Sequence, residues 1–71
     1  MNETQNFHLT ARERDVLYLI SREYTIEEIA SSLFIGKETV KTHRKKMMSK
    51  LDARNAVGLV VKAVQRGLFK L

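Results

Sequence analysis

Two segments of the chain open in the same way, fifteen residues apart: Thr10-Ala11-Arg12-Glu13 and Thr25-Ile26-Glu27-Glu28. Each is a capping box. The threonine hydroxyl accepts the N–H of the third residue on, the glutamate reaches back to the threonine N–H, and two otherwise orphaned donors at a helix start are satisfied. Behind each box the apolar residues recur at helical spacing, as Val16, Leu17, Leu19 and Ile20, then Ile26, Ile29, Ala30 and Leu33. The second start leaves the first helix no room beyond Ser21 to Glu23. Leu9, just before the first box, is placed to pack as a staple on the stem of Arg14 or beyond. Phe34-Ile35-Gly36 breaks the second pattern. Gly36 can take a positive φ or cap the next helix, so a tight turn is expected there.

A third helix is expected from Lys37 to about Leu51. At about 100° per residue, Val40, Met47 and Leu51 share one edge with His43 beside them. Glu38, Thr42, Lys45 and Ser49 lie opposite, with Lys41 at the edge of that face. A fourth helix should begin after Asn55, a good N-cap, and end before Gly67, a good C′ residue. Its apolar arc is broad. Ala56, Leu59, Val60 and Ala63 cover one side, and Val57, Val61 and Val64 continue around it. A helix at the rim of a small domain needs one buried stripe, so the excess predicts a second apolar surface that meets a partner. A strand over Val57 to Val64 is disfavoured because polar residues do not alternate with the valines. Gly58 inside this helix costs ~1 kcal/mol relative to alanine unless close packing across a dimer needs it. The expected architecture is all-α, with four helices in one domain over residues 9–71 and a flexible arm or linker stub over residues 1–8.

Composition removes most function classes. With 71 residues and no cysteine or proline, the chain has no disulfide or thiolate zinc site to support a small core. It has no apolar run near the ~20 residues that span a bilayer, and no signal-peptide order at its N-terminus, so a soluble cytoplasmic protein without membrane contact is expected. His8 and His43 are the only histidines. A metal site is therefore not expected, and His43 reads as a partly buried structural residue. Met47 and Met48 read as core and its margin. Glu13 with Arg12 or Arg14 reads as an internal ion pair or as part of the cap, and Glu27, Glu28 and Glu38 do not converge. No nucleophile–base pair or phosphate loop appears, so neither an enzyme nor a cofactor is expected.

The charge is concentrated. Of the net +5, residues 1–36 carry three basic and six acidic side chains, whereas residues 37–50 carry Lys37, Lys41, Arg44, Lys45, Lys46 and Lys50 against Glu38 alone. A basic block confined to one helix nominates a polyanion site, although a solvated face is the commoner outcome for charge runs. Context favours the polyanion. Two short helices joined by a tight turn, the second basic on its outer face, form a helix-turn-helix, and the major groove of DNA admits one α-helix. Lys41 and Lys45 face bases in that arrangement. Arg44, Lys46 and Lys50 lie toward the sides, where phosphates run, and Thr39 near the helix start offers a hydroxyl to a phosphate. Two rivals are a protein-docking module, against which the basic helix argues, and an RNA binder. The latter would place aromatics on the basic face, whereas Phe7, Tyr18, Tyr24, Phe34 and Phe69 fall elsewhere.

These residues carry a resemblance. Leu9-Thr10, Arg12-Glu13-Arg14, Val16-Leu17, Glu28-Ile29-Ala30, Leu33, Ile35, Thr39-Val40-Lys41-Thr42-His43, Lys50-Leu51 and Gly67-Leu68 resemble the LuxR/GerE-type helix-turn-helix domain over about residues 8 to 70. The resemblance implies a four-helix domain of bacterial transcription regulators, often the C-terminal part of a response regulator or quorum sensor. Its third helix reads double-stranded DNA and its fourth forms a homodimer on an inverted repeat. RNA polymerase is a further candidate partner. By position the resemblance assigns base contacts to Lys41, Thr42 and Lys45, with Lys37 and Glu38 near bases or backbone. It assigns phosphate contacts to Thr25, Thr39, Arg44 and Lys46, and the dimer surface to Val57, Val61 and Val64. The chain departs from the pattern in four places. Glu23 stands where glycine is usual, which predicts strain or a different helix end. Glu27 replaces a common basic residue, Gly36 a frequent serine, and Ala56 a frequent arginine.

Overall fold

The computed structural model describes residues 8–71. The expected N-terminal arm lies outside these residues except for His8. Four helices follow in order, α1 (Ala11–Ser21), α2 (Ile26–Leu33), α3 (Lys37–Leu51) and α4 (Ala56–Gln65), and no strand occurs among the described residues. Both capping boxes are closed. Thr10 N–H donates to Glu13 Oε1 at 2.9 Å and Glu13 N–H to Thr10 Oγ1 at 3.1 Å. Thr25 N–H donates to Glu28 Oε1 at 2.8 Å and Glu28 N–H to Thr25 Oγ1 at 3.1 Å. At α4 the Asn55 Oδ1 accepts the Gly58 N–H at 2.8 Å.

The helix ends depart from a simple reading of the glycines. The left-handed conformation falls on Glu23 (φ 68°), Phe34 (φ 57°) and Asp52 (φ 56°), and among the glycines only on Gly67 (φ 71°). Gly36 does not supply the positive φ of the turn. It is the extended N-cap of α3 at φ −76°, with no side-chain hydrogen bond to the helix. The chain reverses two residues earlier, at Phe34, whose N–H closes α2 on Ser31 O. Glu23 holds the conformation for which glycine is suited. A left-handed non-glycine residue costs about 1–2 kcal/mol, so the strain expected at that position is present.

The core is continuous through all four helices. Val16 and Leu17 from α1, Ile29 from α2, Val40, Met47 and Leu51 from α3, and Leu59 and Ala63 from α4 are buried together. Leu9 joins them, so the staple reaches past exposed Arg14 into the core. Leu68 and Phe69, beyond α4, lie against the same cluster. Because α3 packs on α1, α2 and α4, its buried edge is fixed from three directions and its opposite face is held outward.

Candidate nucleic-acid interface

The helix-turn-helix is formed by α2, the Phe34–Gly36 turn and α3. On α3 the buried edge of Val40, Met47 and Leu51 leaves Lys37, Glu38, Thr39, Lys41, Thr42, Lys45, Lys46 and Ser49 exposed. Lys37, Lys45 and Lys46 form no ion pair with any described residue. Lys41 Nζ lies 3.2 Å from Glu38 Oε2, one turn back. The Thr42 hydroxyl donates to the Glu38 carbonyl at 3.0 Å, which fixes its rotamer and commits its proton. His43 is partly buried, consistent with a structural role.

The two flanks of this face differ. On one, Arg44 lines a depression with Tyr24, Thr25, Val40 and Ala56, and is the only cation among the lining residues. Its Nε is buried without a hydrogen-bond partner. Thr25 at the start of α2 stands on the same depression, with its oxygen engaged by the Glu28 N–H and its hydroxyl proton still available. The arginine frequent at Ala56 in the family pattern is missing here, so Arg44 carries this flank alone.

On the other flank Lys50 does not point outward. Its Nζ donates to Glu13 Oε1 at 2.7 Å and to the His8 carbonyl at 3.4 Å. Glu13 is 2% exposed. The structure therefore corrects one expectation: Lys50 is engaged inside the domain rather than free for phosphate. Glu13 is thus part of the α1 cap, one of the two roles expected for it, and its ion-pair partner is Lys50 rather than Arg12 or Arg14. Arg12 pairs with Asp15 instead, at 3.7 Å. Burial pushes the Glu13 carboxyl upward, but the hydrogen bond and charge of Lys50 and the bonds from Thr10 outweigh it, so its pKa is lowered overall. A signal for this was present in the sequence. Glu13 occupies the first position of the i, i+3, i+4, i+7 stripe that continues through Val16, Leu17 and Ile20.

Two aromatics stand nearer the basic face than sequence spacing implied. Tyr24 lines the Arg44 depression, and Phe34, 94% exposed, sits in the turn three residues before Lys37. Val57, Val61 and Val64 form an i, i+4, i+7 stripe along α4, with 74%, 46% and 38% of their surface exposed. Among the described residues no cluster of three or more histidine, aspartate or glutamate side chains could hold a metal, and no helix is long and apolar enough to cross a membrane.

The family model of bacterial regulatory proteins, luxR family, matches residues 8–63. The chain belongs to the LuxR family. This LuxR-type domain is 40% identical over 62 residues to the response regulator protein VraR of Staphylococcus aureus, covering 87% of the chain and 30% of VraR. The VraR of Staphylococcus epidermidis matches to the same extent. Among solved structures, the response regulator ChrA of a heme-sensing two-component system superposes with a TM-score of 0.82 at 34% identity, covering 86% of this chain and 30% of ChrA. The LuxR-type domain thus spans about 30% of the length of these relatives. The LuxR-type helix-turn-helix is the DNA-binding domain of transcription regulators.

Proposed function

We propose that this domain binds double-stranded DNA sequence-specifically, as the DNA-reading part of a cytoplasmic response regulator, and docks as a homodimer on an inverted repeat. The observation that carries the reading is the exposed face of α3. Lys37, Lys41 and Lys45 rise from a helix whose opposite edge is fully buried, which is the form needed to place cations in a major groove. In this reading Lys37, Glu38, Lys41, Thr42 and Lys45 meet base edges. Thr25, Thr39, Arg44 and Lys46 meet phosphates, and Lys50 is withdrawn from that set. A phosphate oxygen in the depression beside Arg44 would meet its guanidinium, and the uncapped start of α3 offers backbone N–H groups to another.

The homodimer reading rests on the Val57, Val61 and Val64 stripe, an exposed apolar face at helical spacing. Val61→Glu should leave a folded monomer in sedimentation and reduce binding to a two-half-site duplex. An unchanged stoichiometry on DNA would remove the dimer surface from the proposal. RNA polymerase contact is a further expectation to which no residue is assigned.

The DNA reading is tested by anisotropy titration against a duplex selected from a random pool and against a scrambled one. Lys45→Ala should reduce discrimination between the two by about 1–3 kcal/mol. Lys46→Ala should weaken both about equally. Discrimination left intact in a Lys41→Ala, Lys45→Ala double variant would overturn the assignment.

A further inference from the structure

Glu38 is an anomaly on a face built to meet a polyanion. It is the only carboxylate on α3, its side chain is 87% exposed, and it stands one turn from Lys41 with 3.2 Å between Oε2 and Nζ. The first turn of α3 and Lys41 both favour Glu38 in the free domain, but near phosphates a carboxylate is repelled, and on DNA it gains where it meets a hydrogen-bond donor. The only donors on the major-groove edges of DNA are the amino groups of cytosine N4 and adenine N6.

We propose that Glu38 and Lys41 act as one unit that reads a single G·C pair, Glu38 accepting from cytosine N4 while Lys41 donates to guanine O6 and N7; the proposal rests on the DNA-binding reading above. The spacing fits. N4 and O6 are donor and acceptor of one Watson–Crick hydrogen bond and so lie about 2.9 Å apart. An ammonium and a carboxylate oxygen 3.2 Å apart present the complementary order at nearly the same separation.

The same unit disfavours A·T. A carboxylate at adenine N6 is flanked by two acceptors, N7 and thymine O4, and one lysine cannot cover both. At cytosine N4 the carboxylate has a single acceptor neighbour, O6, which Lys41 occupies. Thr42 supports the geometry, because its hydroxyl is tied to the Glu38 carbonyl and does not compete for the base.

The test is selection from a random duplex pool with the wild-type chain, Glu38→Gln and Glu38→Ala. The wild type should recover a half-site with one invariant G·C pair, and Glu38→Gln should move that single position toward adenine, which glutamine reads through N6 and N7. Glu38→Ala should lose discrimination at that position by roughly five- to 150-fold, the range one good base contact provides, with other positions unchanged. Identical half-sites from all three chains would overturn the inference and leave the DNA-binding reading standing. Absence of any consensus from the wild type would overturn both. Glu38 is exposed, so neither variant should disturb the core, and a circular dichroism melt checks this.

Discussion

The two flanks of α3 carry cations of the same sign, six residues apart, in opposite states. Arg44 has a buried Nε with no partner and lies in an open depression beside the start of α2. Lys50 is held at 2.7 Å by a carboxylate that is almost wholly buried. The difference separates a cation without a partner at its Nε from one used to build the domain. Glu13 serves two purposes at once, since the oxygen that completes the cap of α1 is the one that accepts from Lys50. The end of α3 is thereby tied to the start of α1. The Arg44 flank has no such tie, and the turn beside it carries the strain at Glu23.

The largest effect should come from breaking the closed flank. Glu13→Ala removes the cap acceptor and strands Lys50, and should lower stability by about 3 kcal/mol in urea denaturation, at the low end for a broken buried pair because Lys50 keeps some access to water. Glu13→Gln, which keeps an acceptor for the cap, should cost less. Equal costs for the two would show that the loss comes from the charge of the pair and that the cap acceptor contributes nothing.

Acid should loosen the same flank. The folded-state pKa of Glu13 is depressed, so its contribution to stability is present in full above the unfolded value, about 4.3, and is lost as pH falls through the lower folded value. The stability of the wild type should therefore decline in that acid window more steeply than that of Glu13→Gln. Parallel pH profiles for the two would count against the pairing.

The flanks should also differ in salt dependence. Arg44→Met should reduce the slope of log K against log salt by about 0.9, the value for one phosphate contact on duplex DNA. Lys50→Met, measured on the folded population, should leave the slope unchanged. A reduced slope for Lys50→Met would restore Lys50 to the phosphate set.

The smallest effect should come from the strained turn. Glu23→Gly should raise stability by about 1 kcal/mol, because glycine adopts φ near +68° without the side-chain clash. DNA affinity should stay within error if the turn serves only as a brace. A change in affinity would mean that the Arg44 flank depends on the conformation at Glu23.

The sequence by itself determined the four helices and the face each one turns inward. Those features depend on local physics: hydroxyl and carboxylate caps three residues apart, apolar residues at helical spacing, and Asn55 and Gly67 as stops. The boundaries expected at Ser21 to Glu23, after Asn55 and before Gly67 hold for that reason. The outward face of Glu38, Thr42 and Lys45 was legible in the same way. The placement of left-handed residues was not, because any residue at the closing position of a helix can be forced there by packing; Phe34 took the conformation that Gly36 was equally able to supply. The division of the cations was not legible either. Arg44, Lys46 and Lys50 look alike along the chain, and only the packing of α1 against α3 brings a carboxylate 37 positions away to within 2.7 Å of one of them. A charge pattern in sequence therefore nominates a surface, whereas the tertiary contacts decide which charges remain on it, since an ion pair depends on separation in space and not along the chain.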